Sequence, residues 1–302
     1  MRKGYFLVFL TAVISGFAIF INQFGVKVFN PYIFTGLKNL IVALLLTGLL
    51  LVLKDWKVLK KLNKKQWFLL AIIGLIGGSI PFLLFFKGLS LSTGLNGAFI
   101  HKTMFMYVAV LAFVFLKEKI DKRFLLGGIF LILGNLFFLK KLSLTINQGD
   151  LLILLATLFW AAENTISKYA LKELSGRIVA WGRMFFGSLF IFIFLFGTGQ
   201  LSLSVNLNFQ QISWVAITAV VLFGYVMTWY SGLKYIPVSQ AAVILLLGSP
   251  ITTFLSFIWT GQIGLRGLFA SFLIVLGVFL VLGLKEVWCL VKEIKKIIYV
   301  RA

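Results

Sequence analysis

From one end of the chain to the other, apolar runs of about 20 residues follow each other, each long enough to cross roughly 30 Å of hydrocarbon. They fall at approximately 4–24, 32–53, 67–86, 93–116, 124–139, 150–170, 178–197, 212–233, 238–260 and 266–284. Buried helices of a large soluble protein are the alternative, and composition excludes it. Hydrophobic residues make up 61% of the 302 residues and charged ones 12%, against about 25% charged in a soluble chain. Too little polar sequence remains to cover ten such helices. The expected fold is therefore an all-α polytopic membrane protein with ten transmembrane helices. The fifth is short, and polar residues interrupt the sixth to eighth.

The formal charge of +21 comes from 29 Lys and Arg against 8 Asp and Glu. In a soluble protein that balance points to nucleic acid. Here the basic residues cluster in the short loops, which is the pattern of membrane topology, and no aromatic-interleaved basic groove appears. With the N-terminus inside, 20 basic residues lie on the inner side: Arg2, Lys3, Lys54, Lys57, Lys60, Lys61, Lys64, Lys65, Lys117, Lys119, Lys122, Arg123, Lys172, Arg177, Lys234, Lys285, Lys292, Lys295, Lys296 and Arg301. Only Lys27, Lys87, Lys140, Lys141 and Arg266 lie outside. This bias predicts a multi-pass protein of the cell (inner) membrane with both termini cytoplasmic. The last stretch, KEVWCLVKEIKKIIYVRA, is amphipathic and reads as an interfacial helix or basic cytoplasmic tail over 285–302. The first run has a basic start but no small-residue cleavage site, so it reads as a retained span. One cysteine, Cys289, and one histidine, His101, exclude an internal disulfide and the paired ligands of zinc enzymes. No cofactor motif is present, and no GxxxxGK[ST] that would imply direct ATP drive.

The chain also resembles itself. Gly88-Leu89 aligns with Gly232-Leu233, Ala98 with Ala242, Phe115 with Trp259 and Glu118 with Gln262. At nearly the same offset Lys27 falls on Lys172 and Lys38 on Arg183. The division is 1–142 and 143–284, with five spans in each half. An odd number of spans inserts the second half upside down. Inverted repeats are a construction of secondary transporters, with the site near the midplane between the halves.

These features resemble the drug/metabolite transporter superfamily, EamA-type. A GL step precedes an apolar span ending in FLKEKI, and a glycine-bearing span, GGIFLILGN, follows it. The resemblance covers roughly 1–284 and implies ten spans in two repeats and transport of small metabolites. The family often places a proline mid-way in the fourth and ninth spans. Here Pro250 fills one place and Met106 stands near the other. An acidic residue closing those spans is present as Glu118 and replaced by Gln262, which makes the halves unequal.

Charge within the spans marks the candidate site. Lys102, in FIHKTM, lies nine residues into its span, roughly 13 Å deep. A charge there costs about 2.5–3.5 kcal/mol on insertion scales, so a cavity or a partner is expected. Consecutive helical residues diverge by about 100°. We expect Lys102 to face the cavity with Phe99 and Met106, and His101 to pack with Ala98, Phe105 and Val108. Glu163 is the one deep acid and the best candidate for a coupling or ammonium-binding group, although a structural pair with Lys102 or Arg183 is an alternative. Lys38 and Arg183 occupy equivalent places in the repeats, either lining the path or holding helix ends. Asn96 and Asn164 lie at comparable depth. Trp160 and Tyr230, with Tyr225 and Trp229, are candidates for the path lining, against membrane-interface packing. Lys168, near the inner end of its span, is expected to snorkel. Gly74 with Gly78, and Gly127 and Gly128 with Gly134, read as close helix packing. Pro81 and Gly248-Ser249-Pro250 interrupt helices and free carbonyls or form hinges.

The composition of that interior, positive with one acid, favours an amino acid or a small organic anion over a lipophilic cation. The reading is a secondary active transporter working by alternating access, with export favoured and protons among the candidate partners. A flippase for a phosphate-bearing lipid-linked substrate is the alternative. An intramembrane enzyme is disfavoured, because neither GxSxG nor HExxH occurs. The oligomeric state stays open.

Overall fold

The computed structural model describes residues 2–25, 30–92, 94–138, 147–201, 207–262 and 264–299. Lys27, Lys140, Lys141, Arg301 and the expected repeat boundary at 142–143 lie outside them. The helices are α1 (Arg2–Gly25), α2 (Pro31–Val52), α3 (Trp56–Leu59), α4 (Lys64–Ile73), α5 (Ile80–Leu91), α6 (Gly94–Lys102), α7 (Met104–Leu116) and α8 (Lys122–Phe137). They continue as α9 (Gln148–Ala170), α10 (Gly176–Gly197), α11 (Phe209–Leu233), α12 (Val238–Leu245), α13 (Gly248–Thr260), α14 (Leu265–Leu282) and α15 (Leu284–Tyr299). A π-helical turn, Gly74–Ser79, joins α4 to α5. No strand occurs among the described residues.

Nine of the resulting spans are long and apolar enough to cross a bilayer. The tenth is α8, the short fifth run, whose 16 residues rise about 24 Å. Three spans are composite: the third is α4, the π turn and α5; the fourth is α6 and α7; the ninth is α12 and α13.

The repeat is visible in the local chemistry of helix ends. Asn63 and Asn208 each accept the backbone N–H of the residue three on, while Gln66 and Gln211 reach back to the cap backbone, which is a capping box in both halves. Asn30, before Pro31, caps α2, and Ser175 caps α10. The fourth and ninth spans both end on a left-handed residue, Lys117 (φ 58°) and Gly261 (φ 68°). They also break at matching places. In the ninth span Pro250 offers no N–H to the Leu246 carbonyl, and Ser249 N–H takes it at 3.0 Å. In the fourth, where proline is missing, Thr103 Oγ1 donates to the Ile100 carbonyl at 2.6 Å and the helix yields there too. The halves are thus more alike than the absent proline implies.

The two repeats interlock. Span three packs on α9 and α1 on α11, α2 packs on α10, and α8 packs on α14. The last contact needs glycine: a methyl group on Gly127 would stand 2.6 Å from the Gly277 carbonyl oxygen. Small residues that let backbones touch are the means of helix association in lipid. The outer surface is apolar, with Val110, Phe113, Phe196 and Val52 exposed, as a bilayer requires.

One end of the bundle is tied by polar contacts, two sets of which cross the halves. The Glu118 carboxylate accepts the N–H groups of Val238 (2.8 Å) and Ser239 (3.1 Å) and the Ser239 hydroxyl, so it caps α12, whose own N-cap is Pro237. Lys168 reaches a helix end. Its Nζ donates to the carbonyls of Leu233 and Ile236, both at 2.7 Å, and so caps the C-terminal end of α11. Arg177 pairs with Asp55 at 2.6 Å.

Candidate functional site

The site begins with a missing donor. Pro81 has no N–H, so the carbonyl of Gly77, four residues earlier, loses its α-helical partner. The chain around it is wound as a π turn, a form frequent at functional positions. Two buried side chains use the exposed carbonyl. Trp160 Nε1 and Arg183 Nη2 each donate to Gly77 O at 3.0 Å, and Asn39 Nδ2 donates to Gly78 O at 2.9 Å. Gly77 must be glycine: a methyl group there would overlap Glu163 Cγ and lie 3.2 Å from Arg183 Nε. Glu163 and Arg183 therefore flank the same Cα. They form no ion pair within 4.0 Å, so the structural-pair alternative is not the arrangement seen.

Around Glu163 the donors come from α11 and from α9 itself. Tyr230 OH (2.7 Å) and Ser167 Oγ (2.5 Å) both donate to Glu163 Oε1. Oε2 accepts no hydrogen bond from the described residues. One residue on, Asn164 Oδ1 accepts Trp229 Nε1–H at 3.1 Å, and its amide reaches Met104 Sδ at 3.8 Å. Glu163, Tyr230, Trp229 and Asn164 are all buried. Trp229 stacks on Tyr225 at 6.3 Å between centroids.

Lys38 is the site's second cation and the more unusual one. It is 5% exposed, and no hydrogen bond or ion pair to its ammonium occurs among the described residues. Three phenyl rings surround Nζ instead: Phe34 at 4.9 Å, Phe86 at 5.2 Å and Phe82 at 5.7 Å from the centroids. Cation–π attraction offsets part of the desolvation cost, but three N–H donors remain. Arg183 lies against Phe82 as well, at 5.7 Å, so the repeat-equivalent cations share one ring. Further unmet groups lie nearby: Arg183 Nε, Asn39 Oδ1 and Thr35 Oγ1 are buried without a partner. Orphaned polar atoms are rare in folded proteins, and several together make this neighbourhood the candidate site.

Of the predicted residues, Lys38, Trp160, Glu163, Asn164, Arg183 and Tyr230 come together here. Lys102 does not. Its Nζ lies 4.7 Å from the Phe138 ring, beyond the end of α8, and its helix face continues through Met106 and Val110, both exposed apolar residues. The buried face carries His101, with Phe105, Val108 and Ala112. His101 packs edge-on to Trp160 at 5.1 Å and Phe85 at 5.4 Å. The His101 face packs as expected, and it does so toward α9 and the site; no contact among the described residues joins Lys102 to the cluster. Asn96 is half-buried in the first turn of α6. Residues missed by sequence reasoning are Gly77, Ser167, Met104 and the phenylalanines about Lys38. The one available signal was IGGSIPF, where a glycine pair precedes a proline by three and four residues.

Similar arrangements of helices occur in known proteins. A solved crystal structure superimposes with a TM-score of 0.76 over 93% of this chain and 96% of its own, at 16% identity; this is a likeness of fold. Among curated proteins, the uncharacterized transporter YyaM of Bacillus subtilis (strain 168) is 26% identical over 72% of each chain. The uncharacterized transporter YetK of the same organism is 25% identical over 76% of this chain and 71% of its own. The family profile matches residues 2–140 and 147–283, which takes in every span and every residue of the buried polar cluster. This multi-pass membrane protein belongs to the EamA-like transporter family.

Proposed function

We propose that the protein is a secondary active transporter that carries a small amino acid or organic anion across the cell membrane by alternating access, with export as the favoured direction. The observation that carries this reading is Lys38, a buried ammonium with no hydrogen-bond or ion-pair partner among the described residues, sharing the Phe82 ring with Arg183. An ammonium held that way is completed by a carboxylate from the substrate. Glu163, whose Oε2 accepts no hydrogen bond from the described residues, supports a second contact to a substrate amino group or to a coupling proton. Together the two ends fit a zwitterion better than a lipophilic cation.

In this reading the repeats 1–142 and 143–284 rock about the site, and both termini with the tail 285–302 lie in the cytoplasm. Opening toward the cytoplasm then breaks the Glu118 cap on α12, while the Gly77 cluster stays assembled. The test is purified protein in liposomes, screened against amino acids, organic acids, nucleosides and quaternary amines with and without a pH gradient. We expect uptake of an amino acid or carboxylate, and loss of the pH-gradient response in Glu163→Gln with expression intact. Transport of quaternary amines or nucleosides to the exclusion of carboxylates rejects the substrate class. An unchanged pH response in Glu163→Gln rejects the role of that residue.

A further inference from the structure

A concavity distinct from the buried polar cluster lies where α1 and α15 meet. In α15 Lys285 and Lys292 are seven residues apart, two turns along one helix face, with Trp288 between them. Helix α15 packs on α1, which brings Arg2 to the same place. Arg2, Lys285, Lys292, Leu284, Trp288 and Cys289 line a concavity of about 500 Å³. Lys292 Nζ stands 4.1 Å from the Trp288 ring centroid, which fixes an otherwise flexible cation over an aromatic face. No carboxylate is in the lining. Glu286 turns instead toward Gly283, where the Arg123 guanidinium also lies, and Glu293, half-buried, is not among the lining residues. Beside the cations, Leu284 is 76% exposed and Trp288 53%.

We infer that this concavity binds the headgroup of an anionic phospholipid, its phosphate among Arg2, Lys285 and Lys292 and its upper acyl chain against Leu284 and Trp288. Charge complementarity supplies the first half of the argument: three cations converge on one small volume with no acid to neutralise them. A cluster of that kind at the membrane surface attracts anionic headgroups. The exposed leucine and tryptophan supply the second half. A free phosphate or a nucleic acid has no use for them, whereas a lipid presents phosphate and hydrocarbon at adjacent depths, where tryptophan also concentrates. A lipid so placed bridges the first and last helices of the chain.

Native mass spectrometry of the full-length protein, titrated with phosphatidylglycerol or with phosphatidylcholine of the same chains, tests this. We expect tighter binding of phosphatidylglycerol. Combined Arg2→Gln, Lys285→Gln and Lys292→Gln should weaken it by roughly tenfold to a hundredfold and leave phosphatidylcholine binding unchanged. A control with Lys57→Gln, Lys60→Gln and Lys61→Gln removes the same charge from exposed positions in and just after α3 and should leave binding intact. Thermal melting in phosphatidylcholine checks that each variant is folded; should the triple variant fail that check, Lys285→Gln alone, at an exposed position, should still weaken phosphatidylglycerol binding several-fold. Equal loss in the control, equal binding of the two lipids, or a melting shift from inorganic phosphate as large as that from phosphatidylglycerol would each overturn the assignment.

Discussion

Spans three and eight occupy equivalent places in the two repeats, start from the same asparagine–glutamine capping box, and both face α9. They serve it in opposite ways. Span three is interrupted by Pro81 and gives up backbone: the Gly77 carbonyl accepts from Trp160 and Arg183. Span eight is one unbroken helix, α11, and gives side chains: Tyr230 and Trp229 donate to Glu163 and Asn164. One side of α9 meets acceptors and the other meets donors. The fold is close to symmetric while the site is polarised, and that polarity lets a buried carboxylate and a buried guanidinium lie on either side of one glycine without collapsing into an ion pair. In a medium without water each partner must come from protein or ligand, so such separation holds only while every other contact is kept.

The comparison breaks most severely at Gly77. Gly77→Val places carbon on Glu163 and Arg183 and should destabilise the protein by about 1–3 kcal/mol, the usual range for overpacking, and abolish uptake. Gly224→Ala in span eight meets only Ile14 Cδ1 at 3.5 Å, an ordinary contact, and should melt like wild type. Similar melting of both variants would show that span three holds no tighter a place than span eight. Pro81→Ala comes next. It returns an N–H that competes for the Gly77 carbonyl, so the melting temperature should rise while uptake falls several-fold; a parallel change in both would argue against that carbonyl as a functional acceptor. Smaller again is Trp229→Phe, which removes one donor from α11. Hydrogen bonds inside membrane bundles average about 0.6 kcal/mol, so a roughly threefold change in substrate affinity is expected, and an effect equal to that of Gly77→Val would contradict the ranking. The smallest contrast lies in span four: His101→Asn, which loses the Trp160 contact, should change uptake more than Lys102→Met in the same transport assay.

Much of this was legible in the sequence. Run lengths placed the spans, the constant repeat offset set the architecture, and the charged, polar and aromatic residues within the spans named six of the residues that meet at the site, three of them charged. What failed was the direction of Lys102. Seven-residue spacing defines helix faces but not which face lipid covers, and span four is apolar on every side: Met106 and Val110 look no different from Phe105 and Val108 until packing sorts them. The lysine ammonium lies over the Phe138 ring at the end of α8, a position that spacing alone cannot reveal. The Gly77 acceptor was hidden for another reason. Its chemistry belongs to a backbone carbonyl, and the residue that exposes it, Pro81, lies a full turn away and touches neither donor.

The central claim is that Lys38 waits for a carboxylate and Glu163 for an ammonium. It is tested most directly by measuring the affinities of one transported amino acid and of its des-amino analogue, a plain monocarboxylate, for wild type, Lys38→Met and Glu163→Gln. The account predicts that Lys38→Met weakens both ligands by at least about tenfold, as loss of a buried charged partner should. Glu163→Gln should weaken the amino acid alone. Unchanged affinities in Lys38→Met, or equal losses of both ligands in Glu163→Gln, would contradict it.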